Sequence, residues 1–346
     1  MMGFIWFWIV AVMMALYVVL DGFDLGAGIL YPVLGRSESD RSTIQQSIGP
    51  VWDGNEVWLL AGGGTLFFVF PLLYASAFSG FYLPLMIVLW LLILRGLGLE
   101  LRGHIASNLW KSFFGFLFSF ASIMLSIFFG AALANVIRGV PLDKAHTFFL
   151  PLWTNWNVGP YPGILDWYTV IGGVVALLAL ALHGGLWISH KTQGDLSERA
   201  RKLAGPLWIL VVIFTIVSLV ATLAIQPLSL RNYEAWPILY VIPALVAVML
   251  AGVEIFRRKR KVLAAFLCSC GYLIFMLVGA AVGLYPILLP SSLDPQNAIT
   301  IQNSLTGEYA LHVGLIWWSV GILLATAYFV TNYWLFRGKA EGHYHV

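Results

Sequence analysis

The sequence predicts an all-α, polytopic membrane protein with nine transmembrane helices, its N-terminus outside and its C-terminus in the cytoplasm. Three observations carry this. The 346 residues are 60% hydrophobic and only 10% charged, with a mean hydropathy of +0.87, against about 45–50% apolar and 25% charged in ordinary soluble domains. Nine apolar runs reach the roughly 20 residues that a spanning helix needs. The Lys and Arg residues fall on alternate connections between those runs, as they do when cytoplasmic loops retain them.

Taken in order, the first run, about 4–34, has no basic leader and no small-residue cleavage site, so it reads as a retained helix. It is long for one span, and Gly22, Gly26 and Gly28 allow it to tilt, kink or pack closely. The second run, 51–73, starts directly after Pro50, the usual place for proline at a helix start. The third, 76–101, contains Arg95. Runs at 112–137, 162–189, 205–226, 236–256, 262–289 and 309–336 complete the set. Gly62, Gly63 and Gly64 in the second run form no nucleotide loop, because no strand precedes them and no lysine follows, and they read as close helix packing. The connections at 138–161 and 290–308, rich in Trp, Pro and Asn, read as caps with an aromatic interfacial belt. No repeat, low-complexity segment or soluble-domain-sized stretch interrupts the chain, so residues 1–346 form a single integral membrane domain.

With the N-terminus outside, 15 of the 19 Lys and Arg lie inside, including the run Arg257, Arg258, Lys259, Arg260 and Lys261. Arg138, Lys144 and Arg231 lie outside, and Arg95 lies within the membrane. A missed or invented span would scramble this alternation. The formal net charge of +3 forms no basic patch of the kind nucleic acid requires. Cys268 and Cys270, two apart in one helix, point away from each other, which excludes a disulfide framework.

The first three runs hold six ionisable groups: Asp21, Asp24, Asp53, Glu56, Arg95 and Glu100. A charge near the bilayer centre costs about 2.5–3.5 kcal/mol on insertion scales, so such residues mark a functional site by default. All six fall in the cytoplasmic half. Asp21 and Asp24 are three apart and share a helix face. Carboxylates that close compete for protons, which suits a relay; the competing reading has them solvated or capping a broken helix.

Asp53 and Glu56 repeat that spacing in a first turn, where the macrodipole favours acids, so helix capping competes with function at both, most strongly at Glu56. Trp52 and Trp58 beside them fit an interfacial girdle. Arg95 and Glu100 lie about 140° apart on one helix and cannot easily pair. Arg95 stays charged and needs an anion from another element, the acids of the first two helices being the obvious candidates. Glu100 and Arg102 can snorkel to the inner interface. His183 and His312 are the histidines in or near spans, and both read as packing or helix-end residues and not as axial ligands. No metal or cofactor ligand is assigned in this chain.

The segments DGFDLGAGIL, GPVWDGNEVWLLAGGGTLF, YASAFSGFYLP, LRGLGLELR, LHGGLWI and YPILLPSS, in that order, closely resemble subunit II of cytochrome bd-type quinol oxidases. The likeness runs from about residue 4 to 336. It implies two four-helix bundles plus a peripheral helix, in a bacterial or archaeal cell membrane. It also implies a terminal oxidase that oxidises ubiquinol or menaquinol, reduces dioxygen to water and draws the protons from the cytoplasm.

On that resemblance the haems, b and d, belong to the partner subunit I, with which this chain forms a heterodimer; small single-helix accessory subunits are further candidate partners. Some members hold a structural quinone in this subunit, and no residue here is assigned to one. By motif position Asp21 and Asp53 match acids of the proton path, with Glu100 standing where other members have aspartate. Asp24 and Arg95 match charged groups near the haem-bearing interface and read as electrostatic support. Two alternatives remain beside this reading: a purely structural scaffold, and an independent proton-coupled secondary transporter, which the lack of a repeat and the one-sided acids disfavour.

Overall fold

The computed structural model describes residues 1–340. The chain is almost wholly helical: α1 (Met2–Leu34), α2 (Glu38–Ile48), α3 (Trp52–Val69), α4 (Pro71–Gly80), α5 (Tyr82–Glu100), α6 (Asn108–Arg138), α7 (Trp167–Lys191) and α8 (Gly194–Ile225). There follow the single turn α9 (Arg231–Ala235), α10 (Val241–Arg258), α11 (Val262–Leu284), the short α12 (Ile301–Ser304) and α13 (Glu308–Leu335). Among the described residues, eight single helices are long and apolar enough to cross a membrane, and the count is nine when α3 and α4, bent by 120°, are taken as one broken span.

The third expected run differs from what forms. Residues 71–80 make a separate helix, and α5 begins only at Tyr82. Pro71 explains the break between α3 and α4: it has no N–H to continue the α3 ladder, and its ring clashes with the preceding turn. The last α3-type bond is therefore Phe70 N to Leu66 O.

One bundle gathers α1, α3, α5 and α6, the other α7, α8, α10 and α11, and they join where α1 and α6 pack against α7 and α1 also meets α11. The α1–α7 crossing is backbone to backbone. A Cβ on Gly26 would lie 2.1 Å from Leu180 O, and one on Gly184 would lie 2.3 Å from the Gly26 carbonyl carbon, so only glycine permits the approach. The expected packing of three consecutive glycines in α3 is corrected. Gly62 alone meets a neighbour, Met14, while Gly63 and Gly64 face open space, because successive residues turn by about 100° around a helix. Helix α13 stands outside both bundles, Leu311 being its buried residue.

The two ends of the bundle differ. At the end holding the α1 N-terminus, the connections 139–166 and 286–307 fold into a cap. Its antiparallel pair, β1 (Ile287–Leu289) and β2 (Ile299–Thr300), sits over Trp6, Phe7, Phe70, Leu142 and Leu150. Trp153, Trp156 and Tyr161 project from this cap. At the opposite, basic end, α2 lies across the bundle as a clamp, its Ser37 and Asp40 forming a reciprocal capping box. Glu38 holds Arg102 through both oxygens, at 2.8 and 2.7 Å, and Asp40 pairs with Arg199 at 2.8 Å. Arg102 is thus buried against α2 and does not snorkel.

Candidate functional site

The polar interior lies where α1, α3 and α5 converge in the basic-end half. Asp21, Asp24, Asn55 and Arg95 are each fully buried. Arg95, from α5, donates to both oxygens of Asp21, at 2.7 Å from Nη1 and 2.5 Å from Nη2, the fork geometry that a guanidinium and a carboxylate share. Its Nη2 also reaches Glu56 Oε2 at 3.3 Å, and the indole of Trp52 lies 5.9 Å from its Cζ. Arg95 thus finds its anions on the first two spanning helices, and Glu100 is not among them.

Asp24, one turn further along α1, faces a different partner. Asn55 of α3 donates through Nδ2 to Asp24 Oδ2 at 2.8 Å and to Leu20 O at 3.1 Å. The hydroxyl of Tyr333, on α13, donates to Asn55 Oδ1 at 2.9 Å. Asp24 Oδ1, the Tyr17 hydroxyl, Trp58 Nε1 and Arg95 Nε are buried without a partner among the described residues. Such atoms are uncommon in native interiors; four others among the described residues, on Tyr31, Gln45, Arg102 and Arg199, lie nearer the α2 end.

Of the α3 acids, Asp53 lies in the first turn, where the macrodipole favours an acid, and Glu56 does not. Val51 is the α3 N-cap and no side chain caps it; Asp53 is exposed in the first turn, while Glu56 turns toward Arg95 with 23% of its side chain exposed. Glu100 is exposed on α5, and neither it nor Asp53 forms an ion pair among the described residues. Trp58 is not interfacial: it is buried with Met13 and Tyr17 in a small apolar cluster. Sequence reasoning missed Asn55 and Tyr333. The signal for Asn55 was an amide inside an apolar run, since a buried amide requires partners; Tyr333 carried none, one tyrosine among many aromatics of its helix.

His183 is a cross-link. Its Nε2 donates to Val19 O at 2.9 Å, its Nδ1 shares a hydrogen bond with Ser269 Oγ at 2.7 Å, and the ring stacks on Phe266. His312 bonds its own first turn at Glu308 O. The sulfur of Met13 accepts from Thr65 and Trp318. With both ring nitrogens engaged, His183 does not fit axial ligation of a haem, and no group of three His, Cys, Asp or Glu residues is arranged for a metal ion among the described residues.

A second buried ion pair, also missed, lies near the capped end. Arg138, ending α6, pairs with Asp166, the N-cap of α7. Arg138 also donates to Asn135 Oδ1 at 2.6 Å and to the carbonyls of Gly163 and Gly139, while Asp166 Oδ1 accepts from the amides of Tyr168 and Thr169.

Fold and site together define a helical, multi-pass membrane subunit with a one-sided buried cluster of acids around an arginine. The chain belongs to the cytochrome bd terminal oxidase subunit II family, whose model matches residues 2–336. It is 31% identical to the probable cytochrome oxidase subunit 2 of Haemophilus influenzae, over 99% of this chain and 96% of that one. It is 33% identical to the cytochrome bd ubiquinol oxidase subunit 2 of Bacillus subtilis, over 89% and 88%, and 30% identical to the bd-I subunit 2 of Escherichia coli K12, over 97% and 94%. The structure of the bd oxidase from Geobacillus thermodenitrificans matches its fold with a TM-score of 0.77 at 16% identity, over 97% and 99% of the two chains. The chain is accordingly a multi-pass cell-membrane subunit of an oxidoreductase complex.

Proposed function

We propose that the chain, as one membrane domain, is the haem-free subunit of a quinol:dioxygen oxidoreductase, supporting the haem-bearing subunit I and passing cytoplasmic protons toward the site of oxygen reduction. The observation that carries this is Asp24: a fully buried carboxyl with one oxygen held by Asn55 and the other unpartnered, one helical turn from a clamped Asp21–Arg95 pair. Three carboxyls share this cluster with one guanidinium: Arg95 bonds Asp21 and Glu56, while Asp24 bonds Asn55 instead. Arg95 neutralises one of them, and desolvation makes further unpaired charge expensive, so the remaining carboxyls gain and lose protons together with their charge.

In this reading the basic end faces the cytoplasm, exposed Asp53 and Glu100 take up protons, half-buried Glu56 leads inward, and Asp24 carries the proton. The geometry supports exchanging two roles given by the sequence: Asp21, engaged through both oxygens, acts as the fixed anion, and Asp24 acts as carrier. The haems, where quinol electrons meet oxygen, supply the redox chemistry in the complex. The competing reading is a scaffold whose acids serve packing.

In the assembled complex, Asp24→Asn is expected to lower quinol-dependent oxygen consumption by about 100-fold, the scale of losing a proton carrier, with haem spectra near those of the unaltered complex. Asp53→Asn is expected to slow turnover as well. Unchanged turnover in both variants would remove the relay role, and loss of the haem signals would favour the scaffold.

A further inference from the structure

We propose that Asn55 and Tyr333 are positioning residues for Asp24: Tyr333, from the outlying α13, sets the Asn55 amide so that it holds one Asp24 oxygen and leaves the other free for the proton. The inference rests on the carrier reading of Asp24 given above. The direction of the chain of hydrogen bonds is determined by one obligate acceptor. Leu20 O can only accept, so the side of Asn55 that faces it, 3.1 Å away, is the NH2 group. The same nitrogen then donates its second hydrogen to Asp24 Oδ2 at 2.8 Å. This leaves Asn55 Oδ1 facing Tyr333, whose hydroxyl must donate, at 2.9 Å.

Each link thereby has one polarity. Donation into the amide oxygen polarises the amide and strengthens its N–H donation onward, the cooperativity expected of a hydrogen-bond chain in a low-dielectric interior. Asp24 Oδ1 is the carboxyl atom without a partner among the described residues, and the chain of hydrogen bonds aims it.

The placement of Tyr333 supports a role beyond packing. Helix α13 buries little of itself, yet its last turns are tied down at several points around this tyrosine. Asn332 donates to Pro50 O at 3.3 Å, just before α3. Lys191, ending α7, donates to Phe336 O and, at 2.7 Å, to Gly338 O, placing a cation at the C-terminus of α13. The Tyr333 ring packs between Phe329 and Trp187. The peripheral helix is therefore latched to the bundle beside the buried acids.

The test uses the assembled, haem-loaded complex. Tyr333→Phe keeps the ring and removes the donor; it is expected to lower turnover about three- to tenfold, the effect of one hydrogen bond. It should also shift the infrared carboxyl band that Asp24→Asn abolishes, with haem spectra and melting temperature unchanged. Asn55→Ala should act in the same direction more strongly. Phe329→Leu, which loosens the same helix without touching the chain of hydrogen bonds, should leave the band in place. A slow Asp24→Asn enzyme alongside Tyr333→Phe with unaltered rate and band overturns this inference alone, as does an equal band shift in Phe329→Leu. Normal turnover in Asp24→Asn overturns it together with the carrier reading.

Discussion

Two buried arginine–aspartate pairs lie in opposite halves of the molecule, and they are built differently. Arg138 and Asp166 have a partner for every nitrogen and oxygen: the carboxylate caps α7, and the guanidinium is shared among two backbone carbonyls, Asn135 and Asp166 itself. Arg95 and Asp21 share a fork, but around them Arg95 Nε, Tyr17 Oη and Asp24 Oδ1 lack partners among the described residues, and a second carboxyl, Glu56, leans on the same guanidinium while Asp24 has only Asn55. A fully satisfied network has one stable arrangement and suits structure. One with surplus acids and unmade bonds can change its proton content, which suits function.

The sharpest way to break this contrast is to remove each cation. Arg138→Met leaves Asp166 buried and uncompensated, expected to cost about 3–5 kcal/mol, seen as a lowered melting temperature and poor assembly, with normal turnover for each complex that survives. If turnover per haem fell instead, the capped-end pair would be functional and the contrast would fail. Arg95→Lys keeps the charge but not the fork; turnover is expected to drop about tenfold, some 1.4 kcal/mol, with little change in melting temperature. A large stability loss without a kinetic one would make the two pairs equivalent.

The smallest expected effect belongs to an ion pair outside the membrane, at the α2 clamp. Burial by itself would raise the Asp40 carboxyl, but the Ser37 amide and hydroxyl and the Arg199 guanidinium outweigh it and hold the group below the usual carboxylate range. Its contribution is thus fully present above about pH 4, the ordinary aspartate value, and is lost as pH falls through its own lower value. Asp40→Asn should cost at most about 1 kcal/mol, read as faster amide exchange in Glu38–Ile48 at neutral pH, the difference closing in acid.

Much of the architecture was legible because a bilayer leaves few choices. Spans must be helical to satisfy their backbones, so long apolar runs report their own number and approximate ends. The unforeseen α4 came from Pro71, whose effect is local but whose 120° bend after α3 hydropathy does not register. At the site, the need of Arg95 for an anion from the first two helices was visible in a single sequence, because its charge is permanent.

Which acid answered that need was decided by packing. Asp21 and Asp24 share a face and a motif, yet the approach of α1 to α7 at Gly26 and Gly184, with α3 and α5 closing in from the other side, gives Asp21 to Arg95 and Asp24 to Asn55. The roles of Asn55 and Tyr333 depend on residues about 280 positions apart, which no local pattern reports. By itself the sequence determined the class, the spans and the existence of a costly charge cluster, since burial energetics act residue by residue. Only the tertiary structure decided the pairing, because a hydrogen bond exists at a distance and an angle, and those are set by how the helices cross.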